Sequence, residues 1–325
     1  MLVRFWGVRG SIPTPGPKTV RVGGNTSCVE IQPGGGQLFI MDAGSGIREL
    51  GLNMMGRGNI GRVDAKIFLS HTHWDHIHGW PFFVPAFIPG NKFCFYGPVN
   101  FNERLEDIVA GQMKYSYFPV KLEHMAAKID FVELKESTFE VDGVKITAKY
   151  LNHPILTLGY RFEYAGKVVV TEFDTEPYTN VFKKKDKAES GGDEVDDFLF
   201  GGGGGGEEEG EEAHADQVVD DMNRRIKEFA RDADLLIFDA QYTKEEYMPP
   251  AGGMNKVGWG HSTLDDAVET AITANVKRVA LFHHEPTRAD NAVDEMENYC
   301  KKLVAEKGRP DIHIFAAHEG MEVDI

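Results

Sequence analysis

The run Ala65-Lys66-Ile67-Phe68-Leu69-Ser70 leads directly into His71-Thr72-His73-Trp74-Asp75-His76. Its Ile, Phe and Leu content predicts a short strand, so four metal-ligating side chains fall within six residues where that strand ends. Alternation sends His71 and His73 to one side of an extended or tightly turned backbone. Asp75 and His76 follow, displaced along the chain, and suit a second metal. Neutral imidazole favours zinc or other transition metals, and a carboxylate adds charge neutralisation. Two metals about 3.5–4 Å apart are a known device for hydrolysing esters and phosphodiesters. For one histidine, a solvated polar loop would be the better explanation. Three histidines and an aspartate at fixed offsets favour a metal site.

The chain has 325 residues, of which 42% are hydrophobic, enough for a sizeable core in one large or two ordinary domains. It lacks an apolar run long enough to span a membrane, and residues 1–6 lack the layout of a secretory signal. A cytoplasmic protein without a membrane partner is expected. Cys28, Cys94 and Cys300 are far apart and odd in number, which fits ordinary intracellular thiols. The net charge of −16 is uneven: residues 186–221 hold 14 acids and one lysine, a local charge of −13, leaving −3 for the remainder. Neither part offers a basic surface for a nucleic-acid polymer.

Read in order, the chain predicts strands at 2–6, 28–31 and 38–41, with turn-rich loops at 7–17 and 23–27. The second loop is glycine-rich but lacks the ending of a phosphate-binding loop, and a hairpin turn is the favoured reading. Asp42 ends a strand and suits either orientation of a ligand histidine or capping of the helix at 47–55. The aromatic stretch 79–87 is too proline-rich for a long helix and is expected to pack beside the site. Further strands are predicted at 92–96, 129–134, 144–151, 158–164, 167–171, 234–238, 276–282, 312–315 and 321–325. Helices are expected at 102–113, 217–231, 264–274 and 292–307. Residues 181–215 run through three lysines, acids and six consecutive glycines. Their composition predicts a flexible acidic excursion within one domain of 1–325.

The motif at residues 71–76 resembles the His-x-His-x-Asp-His signature of the metallo-β-lactamase superfamily. His153, Asp174, His261 and His284 follow it, each at or just after a predicted strand end. The resemblance spans essentially the whole chain outside 181–215 and implies an α/β fold, the four-layer αββα sandwich. It implies His71, His73 and His153 on one metal, Asp75, His76 and His284 on the second, and Asp174 between them. Glu172, still on its strand, is set aside as a ligand. His283 adjoins His284 on a strand, so only one can face inward. His284 is preferred because it stands four residues before Arg288, the spacing of the ribonuclease Z-like branch. That branch also has a Gly-His-Ser-Thr-like turn, matched by Gly260-His261-Ser262-Thr263, with the histidine catalytic rather than a ligand.

The expected activity is hydrolysis by a water or hydroxide shared between two divalent metals, zinc first, manganese or iron as alternatives. Asp75 and His261 are the catalytic candidates. A small phosphodiester such as a cyclic nucleotide is the preferred substrate, because the acidic excursion would repel a polymer's phosphates. The alternatives are an acyl hydrolase of thioesterase, lactonase or lactamase type and a transfer-RNA 3′-processing endoribonuclease, with a homodimer left open.

Overall fold

The computed structural model describes residues 1–58, 61–180, 205–250 and 253–325, with residues 205–212 described by their backbone alone. Fourteen strands among them are β1 Leu2–Gly7, β2 Cys28–Gln32, β3 Phe39–Met41, β4 Asp64–Phe68, β5 Lys92–Pro98, β6 Lys128–Leu134, β7 Ser137–Val141, β8 Val144–Leu151, β9 Thr157–Tyr164, β10 Lys167–Glu172, β11 Leu235–Asp239, β12 Arg278–Phe282, β13 His313–Ala316 and β14 Glu322–Asp324. They form two seven-stranded sheets, ordered β14-β1-β2-β3-β4-β5-β6 and β13-β12-β11-β10-β9-β8-β7. Helices α1 Gly46–Gly56, α2 Trp74–Ile77, α3 Leu105–Gly111, α4 Gly205–Phe229, α5 Lys244–Tyr247, α6 Leu264–Thr273 and α7 Asp290–Glu306 complete the described elements, together with short 3-10 turns.

The side-chain pattern decides the layering. β1 alternates buried and half-buried residues, presenting Val3 and Phe5 to the space between the sheets. β11, Leu-Leu-Ile-Phe-Asp, is buried throughout, as a parallel strand covered on both faces must be. Its Leu235 and Ile237 enter the inter-sheet core, and its Leu236 and Phe238 the layer beneath the outer helices. Ile47, Leu50 and Met54 on α1 fill the corresponding layer of the first sheet. The result is the αββα sandwich.

Phe68, the last residue of β4, sits in the inter-sheet core. Its ring lies 5.3 Å from Phe39, 4.9 Å from Tyr96, 5.4 Å from Tyr160 and 5.2 Å from Phe162. Tyr160, on the opposite sheet, donates from its hydroxyl to the carbonyl of Leu69 at 2.8 Å. This contact fixes the height at which β4 gives way to the histidine motif.

Some expectations shift. β4 ends at Phe68, α3 is shorter than predicted, and β7 has no counterpart in the sequence reading. β7 is mostly exposed, with only Val141 buried, so it carries little apolar signal. The helix expected from 217 starts at Gly205. Residues 205–215 are therefore helical, and 181–204 lie outside the described residues.

Replacing Phe68 by alanine should lower unfolding free energy by about 3–5 kcal/mol, the usual cost of removing a large buried aromatic. A denaturant titration of the variant checks this, with an unchanged midpoint as the contrary result.

Candidate metal centre

The histidine and carboxylate side chains gather where strands of both sheets end. Asp42 follows β3, His71 and His73 follow β4, His153 follows β8, Asp174 follows β10, Asp239 closes β11 and His283 follows β12. In the first sheet β3 and β4 run parallel, and in the second β10, β11 and β12 do. Their carboxyl ends therefore share one rim. Asp42, Asp174 and His283 take left-handed backbone angles, φ +58°, +45° and +60°. Such conformations are uncommon outside glycine, and each turns the chain at the point where a strand stops.

Three groups of ligand atoms result, each within 4.8 Å of one another: His71, His73 and His153; Asp75, His76, Asp174 and His283; and Asp174, Asp239, His261 and His283. Asp174 lies between groups, its Oδ2 being 3.2 Å from His76 Nε2 and 3.6 Å from His71 Nε2. Its Oδ1 is 3.3 Å from His283 Nε2.

The tethering of the rings suits metal ligation. His76 Nδ1 donates to Asp42 Oδ2 at 2.6 Å. Asp42 also accepts from Ser27 Oγ at 2.9 Å, Ser70 N at 2.7 Å and Ser70 Oγ at 3.0 Å. With its proton committed to Asp42, Ser70 Oγ accepts from His71 Nδ1 at 3.0 Å. His153 Nδ1 donates to the Gly260 carbonyl at 2.9 Å, and His283 Nδ1 to Gln241 Oε1 at 2.8 Å. Each of these four rings thus spends its Nδ1 proton on the protein and turns its Nε2 inward. His73 presents Nδ1 instead, 3.1 Å from His153 Nε2. His71 Nε2, His76 Nε2 and Asp174 Oδ1 are buried without an aligned hydrogen bond among the described residues. Buried polar atoms without partners are rare, and a cation is the group that would satisfy all three.

The electrostatics agree. Burial holds the His71 ring well below the ordinary imidazole range, and burial lowers His153 to about 4, so both are neutral donors at pH 7. At His76 burial is outweighed by Asp174, Asp75 and Asp42, which raise it well above that range. A cation at Nε2 would take the place of that proton. Burial raises Asp174, but His283, His76 and His71 outweigh it and keep the carboxylate ionised.

One candidate ligand stands outside these groups. His284, the expected member of the second group, points away: its Nε2 donates to the Ala317 carbonyl at 2.9 Å, and burial lowers it to about 3. The His284 backbone N–H donates to Val8 O at 2.9 Å. The choice between the neighbours rested on the spacing to Arg288, but the left-handed turn at His283 aims its ring at the carboxylates. The other expected site residues, His71, His73, Asp75, His76, His153, Asp174 and His261, come together. Glu172 stays outside the groups. Its buried carboxyl makes no hydrogen bond, and burial raises it to about 8.

His261 stands beside rather than within the first two groups. Its Nδ1 donates to Asp239 Oδ2 at 2.9 Å, and its ring stacks on His283 at 4.9 Å and 18°. Burial lowers this ring, but Asp239 outweighs it and brings it up to about 9. The adjacent Gly260 has φ +83°, and a Cβ there would fall 2.0 Å from His153 Nδ1. Only glycine lets the loop pass so close to a ligand. Asp239 and Gln241 were missed by sequence reading. Both sit at a strand end with an intervening residue, the one signal that could have found them.

Residues 38–189 match the β-lactamase superfamily domain. The chain is 27% identical to the ribonuclease Z of Thermococcus sibiricus, over 82% of this chain and 83% of the other. Across residues 38–189 the chain resembles the β-lactamase superfamily, and over most of its length it is ribonuclease Z-like in sequence. The metallo-β-lactamase fold is shared along the whole length with zinc-bound PqqB from Methylobacterium extorquens, at TM-score 0.63 and 16% identity over 100% of each chain. It is shared with the short form of human tRNase Z at TM-score 0.56 and 19% identity, over 100% of this chain and 99% of that one. The fold and the histidine–aspartate groups imply divalent metal ions.

Substitution of His283 by alanine should lower metal affinity at least tenfold, while His284→Gln should leave it within twofold. Competition with a chromogenic chelator measures both. Equal loss in the two variants would mean that the pair acts structurally.

Proposed function

We propose that the chain is a phosphodiesterase that uses two divalent metal ions and cleaves a small phosphodiester. The observation that carries this reading is the Asp239–His261 pair, placed against the metal-ligating groups but outside the first two. Hydrolysis of a phosphodiester expels an alkoxide-like oxygen that needs a proton. The buried Asp239 carboxylate, bound to His261 Nδ1 at 2.9 Å, favours the protonated ring that such an acid needs. Asp239 is itself anchored by the backbone N–H groups of Thr175 and Gln241, each at 3.2 Å. It fixes the His261 tautomer, leaving Nε2–H as the donor.

The residues for the ions are His71, His73 and His153 for one, and Asp75, His76 and His283 for the other, with Asp174 between them. When bound, divalent ions there would neutralise phosphate charge and lower the pKa of an attacking water. Asp75 Oδ2 accepts from Ser11 N at 2.7 Å and lies 3.2 Å from His283 Nε2. One carboxylate can therefore hold an ion while the Ser11 loop fixes its angle.

The similarity to ribonuclease Z supports phosphodiester chemistry and also raises a transfer-RNA precursor as substrate. Charge favours the smaller substrate. Most of the net charge of −16 lies in residues 186–221, an acidic segment that would repel the phosphates of a polymer. A panel of a cyclic nucleotide, bis(p-nitrophenyl) phosphate, a transfer-RNA precursor, a thioester and a β-lactam decides among the readings. Good turnover of the thioester or lactam with neither diester cleaved would replace the phosphodiesterase by an acyl hydrolase.

Elemental analysis after reconstitution with zinc or manganese should give about two ions per chain. Asp174→Ala should lower that number, and saturation at one ion unaffected by the change would exclude a paired centre.

His261→Ala should keep metal content and melting temperature while turnover of a natural diester falls by about 10²–10⁴. Activated p-nitrophenyl esters, whose leaving group needs less protonation, should suffer less. Equal slowing of both classes would assign His261 to charge stabilisation, and loss of metal would make it a ligand.

A further inference from the structure

His153 is the one ligand of the first group that also lines a large open cavity. This cavity of about 550 Å³ extends away from it between the end of β8 and the segment after β5, with Phe101, Tyr150 and Tyr178 among its lining residues. A second hollow, of about 960 Å³, shares Asn100, Phe101, Asn102, Glu103, Tyr150 and Leu156 with the first. Together they make a trough whose inner end is a metal-ligating histidine. Phe101 is 90% exposed, so its ring is open to a ligand. Asn102 beside it has no side-chain hydrogen-bond partner among the described residues, and Asn100 spends only its amide, on the Pro98 carbonyl at 3.2 Å.

We infer that this trough is the nucleoside subsite of the centre, with the base stacked on Phe101 and read at its edge by Asn100 and Asn102. The inference rests on the phosphodiesterase reading for its orientation toward the metals. A nucleobase is a flat, neutral heterocycle whose edge carries paired donors and acceptors. Unpaired bases are bound by stacking on exposed aromatic rings and by hydrogen bonds to their edges, and an asparagine amide offers a donor and an acceptor together. The charges bordering the trough exclude a different occupant. Glu103, Asp107 and Glu133 outnumber Arg104 and Lys135, and Arg104 is already paired with Glu106. A phosphate backbone would find no cationic track here, whereas a single neutral base meets no penalty. The trough therefore suits one nucleoside whose phosphate lies at His153.

The test is calorimetric titration of the metal-reconstituted protein with adenosine 5′-monophosphate and with ribose 5-phosphate, which has the sugar and phosphate but no base. In Phe101→Ala the affinity for the nucleotide should fall about tenfold, within the range for loss of one stacking partner. The affinity for ribose 5-phosphate should stay within twofold. Asn102→Ala should weaken the nucleotide selectively too. Exposed Phe101 carries no core packing, and an unchanged melting temperature confirms that the variant folds. Nucleotide binding that is undetectable, or equal in wild type and Phe101→Ala, would overturn the subsite even where diesters are cleaved. Phe101-dependent nucleotide binding without cleavage of any diester would uphold the subsite and remove the phosphodiesterase reading alone.

Discussion

The Asp174 carboxylate faces ring nitrogens from both sheets, His71 and His76 behind β4 and His283 behind β12, at 3.2 to 3.6 Å. A carboxylate buried this deeply is costly unless cations or hydrogen bonds surround it. The surrounding structure is arranged around that cost. The left-handed turns at Asp174 and His283 aim both groups inward, while Asp42 and Gln241 orient the rings that face Asp174. Phe68 and Tyr160 hold the two sheets at the spacing that lets the rings meet. Removing any one of these leaves the others supporting an uncompensated charge.

The sequence disclosed most where neighbours in the chain are neighbours in the site. His71, His73, Asp75 and His76 could be read as a unit because a single strand end and one helical turn, α2, position all four. His153 and Asp174 were legible through strand ends and the superfamily resemblance. His283 was not, because its direction depends on a backbone angle of +60° that no residue pattern announces. The spacing to Arg288 pointed to its neighbour, and His284 instead ties β12 to the strand that follows it. Asp239 and Gln241 were missed for a related reason: they act on rings 22 and 42 residues away. The pairing of β11 with β12 brings Gln241 to His283, and the loop before α6 brings His261 to Asp239. In the fold, most strands were legible from apolar runs, and the two-sheet sandwich came from the superfamily resemblance. β7 was not, being exposed over most of its length. The start of α4 was also hidden, since Gly205 and the glutamates after it have the composition of a chain without a core.

The loop before α6 performs two tasks at once. Gly260 gives its carbonyl to His153 and passes too close for any side chain, while His261 turns to Asp239. Glu176 holds the approach to this loop, accepting from Tyr247 Oη at 2.9 Å and Gly258 N at 3.1 Å. Lys256 lies 3.9 Å from the Trp259 ring centroid and 5.8 Å from that of Tyr242, which in turn touches His261. Ligand orientation and acid placement are therefore joined in one short segment. Changes in its length would disturb both.

Neither sheet alone carries a full set of ligands. Asp75 and His76 come from one layer, Asp174, His153 and His283 from the other, with more than two hundred residues between the first and last of them. An ion bound at this rim is thus a rivet across the sandwich. Its binding free energy adds directly to resistance against the layers separating, growing with the logarithm of free ion concentration. The stability of the folded chain would then follow metal supply as well as temperature.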